Sequence, residues 1–264
     1  MDGLYNAERL ILPKSIGNTL SLEGLSTVEG VVLPQKIGNL DLSGIISPKG
    51  LILPRHIDGS LYLDNLTSVE GLVLPQCVGG NLNLHGLTSA KDLVLPQSVG
   101  GDLYLWSLTS ADGLVLPQSV GGILDLTNLT SAKGLVLPQN IGGILYLNNL
   151  ASAKGLVLHQ NFSGSLYLNN LTSAEGLVLP QSVGGNLFLD NLTSAEGLVL
   201  PQSVGGSLNL SGLTSANGLV LPYDFNLNKL ICPSYIKNEI LQNPDKYFRK
   251  PPSEEENISV HHKR

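Results

Sequence analysis

The residues of this chain that could do chemistry are five histidines, two cysteines and a recurrent set of tyrosines, asparagines and aspartates. His56, His85 and His159 stand far apart and His261-His262 lies near the C-terminus, so no metal-ligand spacing and no Ser/His/Asp grouping can be built on them. Cys77 takes a position held by Ser98, Ser119, Ser182 and Ser203 in related segments. It therefore reads as a serine substitute, not half of a disulfide framework, and fits a reducing compartment. Gly-Gly pairs recur along the whole chain as corners, which leaves a phosphate-loop reading without specificity. The expectation is a protein without catalytic residues, metal or cofactor.

The tyrosines, asparagines and aspartates follow a rule of their own. One position, between two leucines, carries Ser21, Asp41, Tyr62, Asn83, Tyr104, Asp125, Tyr146, Tyr167, Phe188 and Asn209; two residues later come Glu23, Ser43, Asp64, His85, Trp106, Thr127, Asn148, Asn169, Asp190 and Ser211. Aromatic side chains with polar tips offer contact area at low entropic cost and concentrate binding energy. Tyr62, Asp64, Tyr104, Trp106, Asp125, Tyr146, Asn148, Tyr167, Asn169, Phe188 and Asp190 are accordingly the candidate partner-binding residues. The competing account is that Tyr and Phe favour strands and stack across them.

What positions these residues is a repeat. A Leu-Val-Leu-Pro phrase ends at Pro13, Pro34, Pro54, Pro75, Pro96, Pro117 and Pro138, then at Pro180, Pro201 and Pro222, with His159 standing in between. The interval is 21 residues except for 20 between Pro34 and Pro54, the mark of a solenoid whose coils bury their apolar side only against neighbouring coils. In the coil Gly113 to Ala132, Leu114-Val115-Leu116 and Leu124-Asp125-Leu126 alternate with period two. That alternation predicts two strands with the leucines inward and Val115 and Asp125 outward, and it leaves Val120, Leu129 and Ala132 to fill corners. The outward valine hardly varies from Val73 to Val220, so one face is monotonous and the other diverse.

The phrase Ile37-Gly38-Asn39-Leu40-Asp41-Leu42 has the spacing of leucine-rich repeats, and over about residues 4 to 222 the chain resembles the short repeats of bacterial effector proteins. The likeness implies a non-enzymatic effector or host-interference role, of bacterial or phage origin. Two departures separate it from that family. The other coils insert a glycine, as in Val99-Gly100-Gly101-Asp102-Leu103, and Leu108 or Leu129 stands where an asparagine ladder is expected, favouring a straighter β-solenoid over a horseshoe.

The predicted fold is all-β: a right-handed parallel β-solenoid of about eleven coils over 1–222, a cap with a short helix over 223–249, and a flexible charged tail over 250–264. Ser234 is expected to cap a helix from Tyr235 to about Gln242 that turns Ile236, Ile240 and Leu241 onto the last coil and stops at Asn243-Pro244. Residues 1–9 are too few to cap the first coil, which leaves an edge for another copy. A net charge of −6, from 15 basic and 21 acidic residues, offers no basic face and disfavours nucleic-acid binding. No apolar run reaches the roughly 18 residues that span a bilayer, and Met1-Asp2-Gly3 opens no secretory signal, so the expected setting is cytoplasmic, with delivery into a host cell as an extension. A protein partner is expected, with an acidic inhibitor of a nucleic-acid-binding protein and self-assembly through the N-terminal edge or the valine ladder as the alternatives.

Overall fold

The computed structural model describes residues 10–250. They form a parallel β-solenoid with one coil per 21-residue repeat. Its principal ladder has eleven strands: Ser15–Ser21 and Lys36–Asp41 at the start, then two-residue strands such as Leu61–Tyr62, Leu124–Asp125 and Leu208–Asn209, and finally Leu230–Ile231 from the cap. Pairing is in register, Leu124 with Leu103 and Leu145, Asp125 with Tyr104 and Tyr146. Parallel strands lie about 4.8 Å apart, so the stack is roughly 50 Å long.

The second ladder is not where alternation places it. It runs through Ser98–Val99, Ser119–Val120 and their equivalents, while between coils the Leu-Val-Leu phrase contributes an isolated bridge from Val94 to Val115 and, at the cap, one from Leu221 to Phe248. Val120 is thus a strand residue, not a corner, and Leu116 is only half-buried. The reason lies in the turn. Leu114 N–H bonds the Ala111 carbonyl at 3.0 Å across Gly113 at φ 76°, so the chain enters Leu114 directly from a tight turn and aligns for pairing only after Pro117. Leu124 and Leu126 are fully buried, as alternation predicts, and Leu129 and Ala132 fill their corners.

Glycine sets how closely the coils approach. A Cβ on Gly121 would land on the carbonyl oxygen of Gly100, and one on Gly142 on that of Gly121. Coil 8 carries Ser163 at this position, together with His159 for proline and Phe162 for valine. There the second ladder opens. It divides into Asn140–Ile141 and its predecessors on one side and Asn161–Phe162 and its successors on the other. The bonds Gln139 N–H to Gln118 and Gly142 N–H to Val120 have no counterparts from Gln160 to Gln139 or from Ser163 to Ile141. An open cleft of 530 Å³ lies at this junction, lined by Leu137, Ile141, His159 and Phe162 among others.

The C-terminal cap shares the solenoid's core. Leu230 pairs with Leu208, and Ile236 and Ile240 of the helix Ser234–Gln242 are fully buried. Two details differ from the sequence reading. Pro233, not Ser234, holds the N-cap, with no side-chain bond, and Leu241 faces solvent because Ile236 and Ile240 already fill the contact. The chain ends its described course with Leu221 bridged to Phe248 and the Arg249 guanidinium donating to the Leu200 carbonyl at 2.5 Å. Apart from Lys250, the expected tail lies outside the described residues, as do the N-terminal edge formed by residues 1–9 and His261-His262.

Candidate functional site

Because the principal ladder is in register, each outward side chain stands on its equivalents in the coils before and after it. The rung spacing is close to the stacking distance of aromatic rings, so consecutive aromatic rungs must form a pile. Tyr146 and Tyr167 have centroids 4.7 Å apart at 45°, and Tyr167 and Phe188 are stacked at 4.4 Å and 21°. All three are half-buried. Asp125 interrupts the series: it separates Tyr146 from Tyr104 and accepts from the Thr127 amide and hydroxyl. The Tyr104 hydroxyl donates to Asp102 Oδ2 at 3.0 Å, and its pKa is pushed up to about 12, first by burial and then by that carboxylate bond. Tyr62 stands apart from the pile, paired with Asp41 and Asn83.

The neighbouring row supplies the polar margin. Asn169 Nδ2 donates to Asp190 Oδ2 at 2.8 Å, and Asn209 Nδ2 donates to Asp190 Oδ1 at 2.5 Å, while burial pushes the Asp190 carboxyl up. Toward the N-terminus, Asn83 joins Asp64 and His85: its Nδ2 donates to Asp64 Oδ1 at 2.8 Å and its Oδ1 accepts from His85 Nδ1 at 2.7 Å. His85 meets Trp106 edge to face at 5.2 Å, and Trp106 is 45% exposed. Burial raises the Asp64 pKa, opposed by the nearby His85. Asp64 Oδ2, Asn148 Oδ1 and Asn169 Oδ1 are enclosed without a donor. Such atoms cost about 1–3 kcal/mol each and concentrate where a surface answers to something other than stability.

The candidate residues therefore form two clusters, not one strip. Tyr146, Asn148, Tyr167, Asn169, Phe188 and Asp190 share one patch; Asp64 and Trp106 belong to a second around His85; Tyr104, Asp125 and Tyr62 lie outside both. Sequence reasoning missed the brackets. Asn83 and Asn209 hold the two aspartates, and Asp102 holds Tyr104. It also missed a column one residue before the first ladder leucine, where Asn39, Ser60, Asn81 and Asp102 each cap the backbone N–H of the next coil. The only trace of that column in the sequence is a polar residue before most ladder leucines, and alternation assigns such residues outward. An asparagine ladder does exist, Asn128-Asn149-Asn170-Asn191, with amide bonds of 2.8–3.0 Å, but it is exposed and one residue ahead of the buried Leu129 series.

Among the described residues no group of three or more His, Cys, Asp or Glu is placed to hold a metal, and no helix is long and apolar enough to cross a membrane. Compared with protein-family models, curated proteins and solved structures, the chain matches none.

Proposed function

We propose that this solenoid is a non-enzymatic scaffold that binds a protein partner through the Tyr146-Tyr167-Phe188 pile and its polar margin of Asn148, Asn169 and Asp190. The observation that carries the reading is the pile itself, three half-exposed rings fixed on adjacent rungs beside amides that lack donors. Rings held by their own stacking lose little entropy when a partner covers them, and the margin supplies directional acceptors. The resemblance of the repeat to bacterial effector proteins extends the proposal to a host protein as that partner. Imitation of nucleic-acid charge fits less well, since Asp41, Asp64, Asp125 and Asp190, the aspartates of this face, are too sparse to match one charge per about 1.7 Å.

The test is comparative capture. Intact protein and a variant carrying Tyr146→Ala, Tyr167→Ala and Phe188→Ala are used as bait in lysate of the native source, beside a folded control carrying Asn217→Lys, a substitution away from the pile. A partner retained by intact protein and control and lost by the triple variant is the expected result. Equal capture by all three would overturn the proposal, and capture that disappears with modest salt would turn it toward the acidic-inhibitor reading.

A further inference from the structure

The outward residue of the Leu-Val-Leu phrase is uncovered along the whole stack. Ile11 is 93% exposed, the residues from Val32 to Val199 are 68–79% exposed, and only Val220, beside the cap, falls to 40%. A β-branched apolar residue on every coil makes one straight stripe, whereas monomeric proteins scatter their exposed apolar residues. With about 100 Å² of apolar surface per side chain, about three-quarters of it exposed at most of the eleven positions, the stripe offers roughly 800 Å² per copy, the share each partner buries in a standard stable interface.

Geometry selects the occupant. A ridge repeating at the coil rise is matched along its length only by a surface with the same rise, because any other period drifts out of step within a few coils. A second copy has that rise by construction, and it closes the contact by two-fold symmetry without leaving a free stripe for further growth. The flank is of mixed sign along its length, from Glu29 and Lys49 through Lys133 and Lys154 to Glu175 and Glu196, which suits neither an anionic lipid surface nor nucleic acid. Residues 251–264 contain only Ile258 and Val260 as aliphatic residues, too few to cover eleven positions. We infer that the valine stripe is a homodimer interface, on a different leg of the coil from the aromatic pile and independent of its function.

Sedimentation equilibrium of the full chain over about a hundred-fold range of concentration should give twice the 27.9 kDa chain mass at the upper end. A variant carrying Val94→Lys, Val115→Lys and Val136→Lys, with an unchanged circular dichroism spectrum, should remain monomeric throughout. Val115 is the middle one of the eleven positions and meets its own symmetry mate in either two-fold arrangement. Val115→Cys in a Cys77→Ser, Cys232→Ser background should therefore yield a covalent dimer on oxidation. A monomeric native chain, a lysine variant that still dimerises, or a cysteine variant that never cross-links would each overturn the inference. So would a chain that dimerises only after truncation at Lys250, which would mean that its own C-terminal segment occupies the stripe.

Discussion

Tyr167 is the ring on which the proposed site turns, because it alone touches a ring on each side, Tyr146 at 4.7 Å and Phe188 at 4.4 Å. An aromatic pair contributes about 0.5–1.5 kcal/mol beyond the area it buries, so Tyr167→Ala removes about 1–3 kcal/mol of pairing. The specific claim is coupling. In a double-mutant cycle, Tyr167→Ala and Phe188→Ala should interact by about 0.5–1.5 kcal/mol. Tyr146→Ala and Phe188→Ala, separated by a full rung, should add to within about 0.3–0.5 kcal/mol. The assay is urea unfolding of all variants, with constant m-values required before free energies are compared, since long repeat arrays can lose cooperativity. If the Tyr167/Phe188 coupling falls below about 0.3 kcal/mol, or if Tyr146 and Phe188 couple as strongly, the rings are adjacent through strand preference alone and the pile is not a pre-formed surface.

Two further predictions follow from other parts of the stack. Replacing His159→Pro, Phe162→Val and Ser163→Gly together should close the opened ladder and restore about three backbone hydrogen bonds, a gain of about 1.5–4.5 kcal/mol. Slower amide exchange at residues 160, 163 and 164 would report it, and unchanged exchange would refute it. Tyr104 has a folded-state pKa of about 12, above its value of about 10 in an unfolded chain, so its contribution is complete below about pH 10 and is lost as pH rises through 12. Burial also raises Tyr146, so ultraviolet titration should show late phenols of which Tyr104→Phe removes one and Asp102→Asn shifts one downward; a Tyr104→Phe titration lacking an early phenol instead would refute the assignment.

The repeat was legible because its physical basis is local. Period-two leucines next to glycine corners dictate coils whatever the partner, and the buried columns through Leu124, Leu126 and Leu129 follow from that alone. The second ladder was misplaced because alternation records which side chains point inward, and Leu114 and Val120 both do. Strand pairing depends on backbone direction after Pro117, which side-chain polarity does not encode. The grouping of site residues was half legible. Equal spacing predicts that outward residues stack and that Asp125 interrupts the rings between Tyr104 and Tyr146, but not that Asn209, on the next rung, turns its amide to Asp190. Such bonds join different columns and have no signature at the repeat period.

The opened ladder and the aromatic pile are one structural event seen from two sides. Asn140–Ile141 and Tyr146 belong to one coil, Asn161–Phe162 and Tyr167 to the next, and this is the junction where the short ladder divides. The long ladder stays paired there, so a separation confined to part of the other leg is expected to tilt the eighth coil. The ring angles differ at the two junctions, 45° between Tyr146 and Tyr167 across the opened one and 21° between Tyr167 and Phe188 across the next, intact one. The residues departing from the repeat at His159, Phe162 and Ser163 are expected to set the ring angle at one end of the pile. The ladder-closing variant should therefore change the near-ultraviolet circular dichroism of the tyrosines and bring the Tyr146/Tyr167 coupling energy toward that of Tyr167/Phe188. If the two couplings already agree in the native chain, the link between ladder and pile fails.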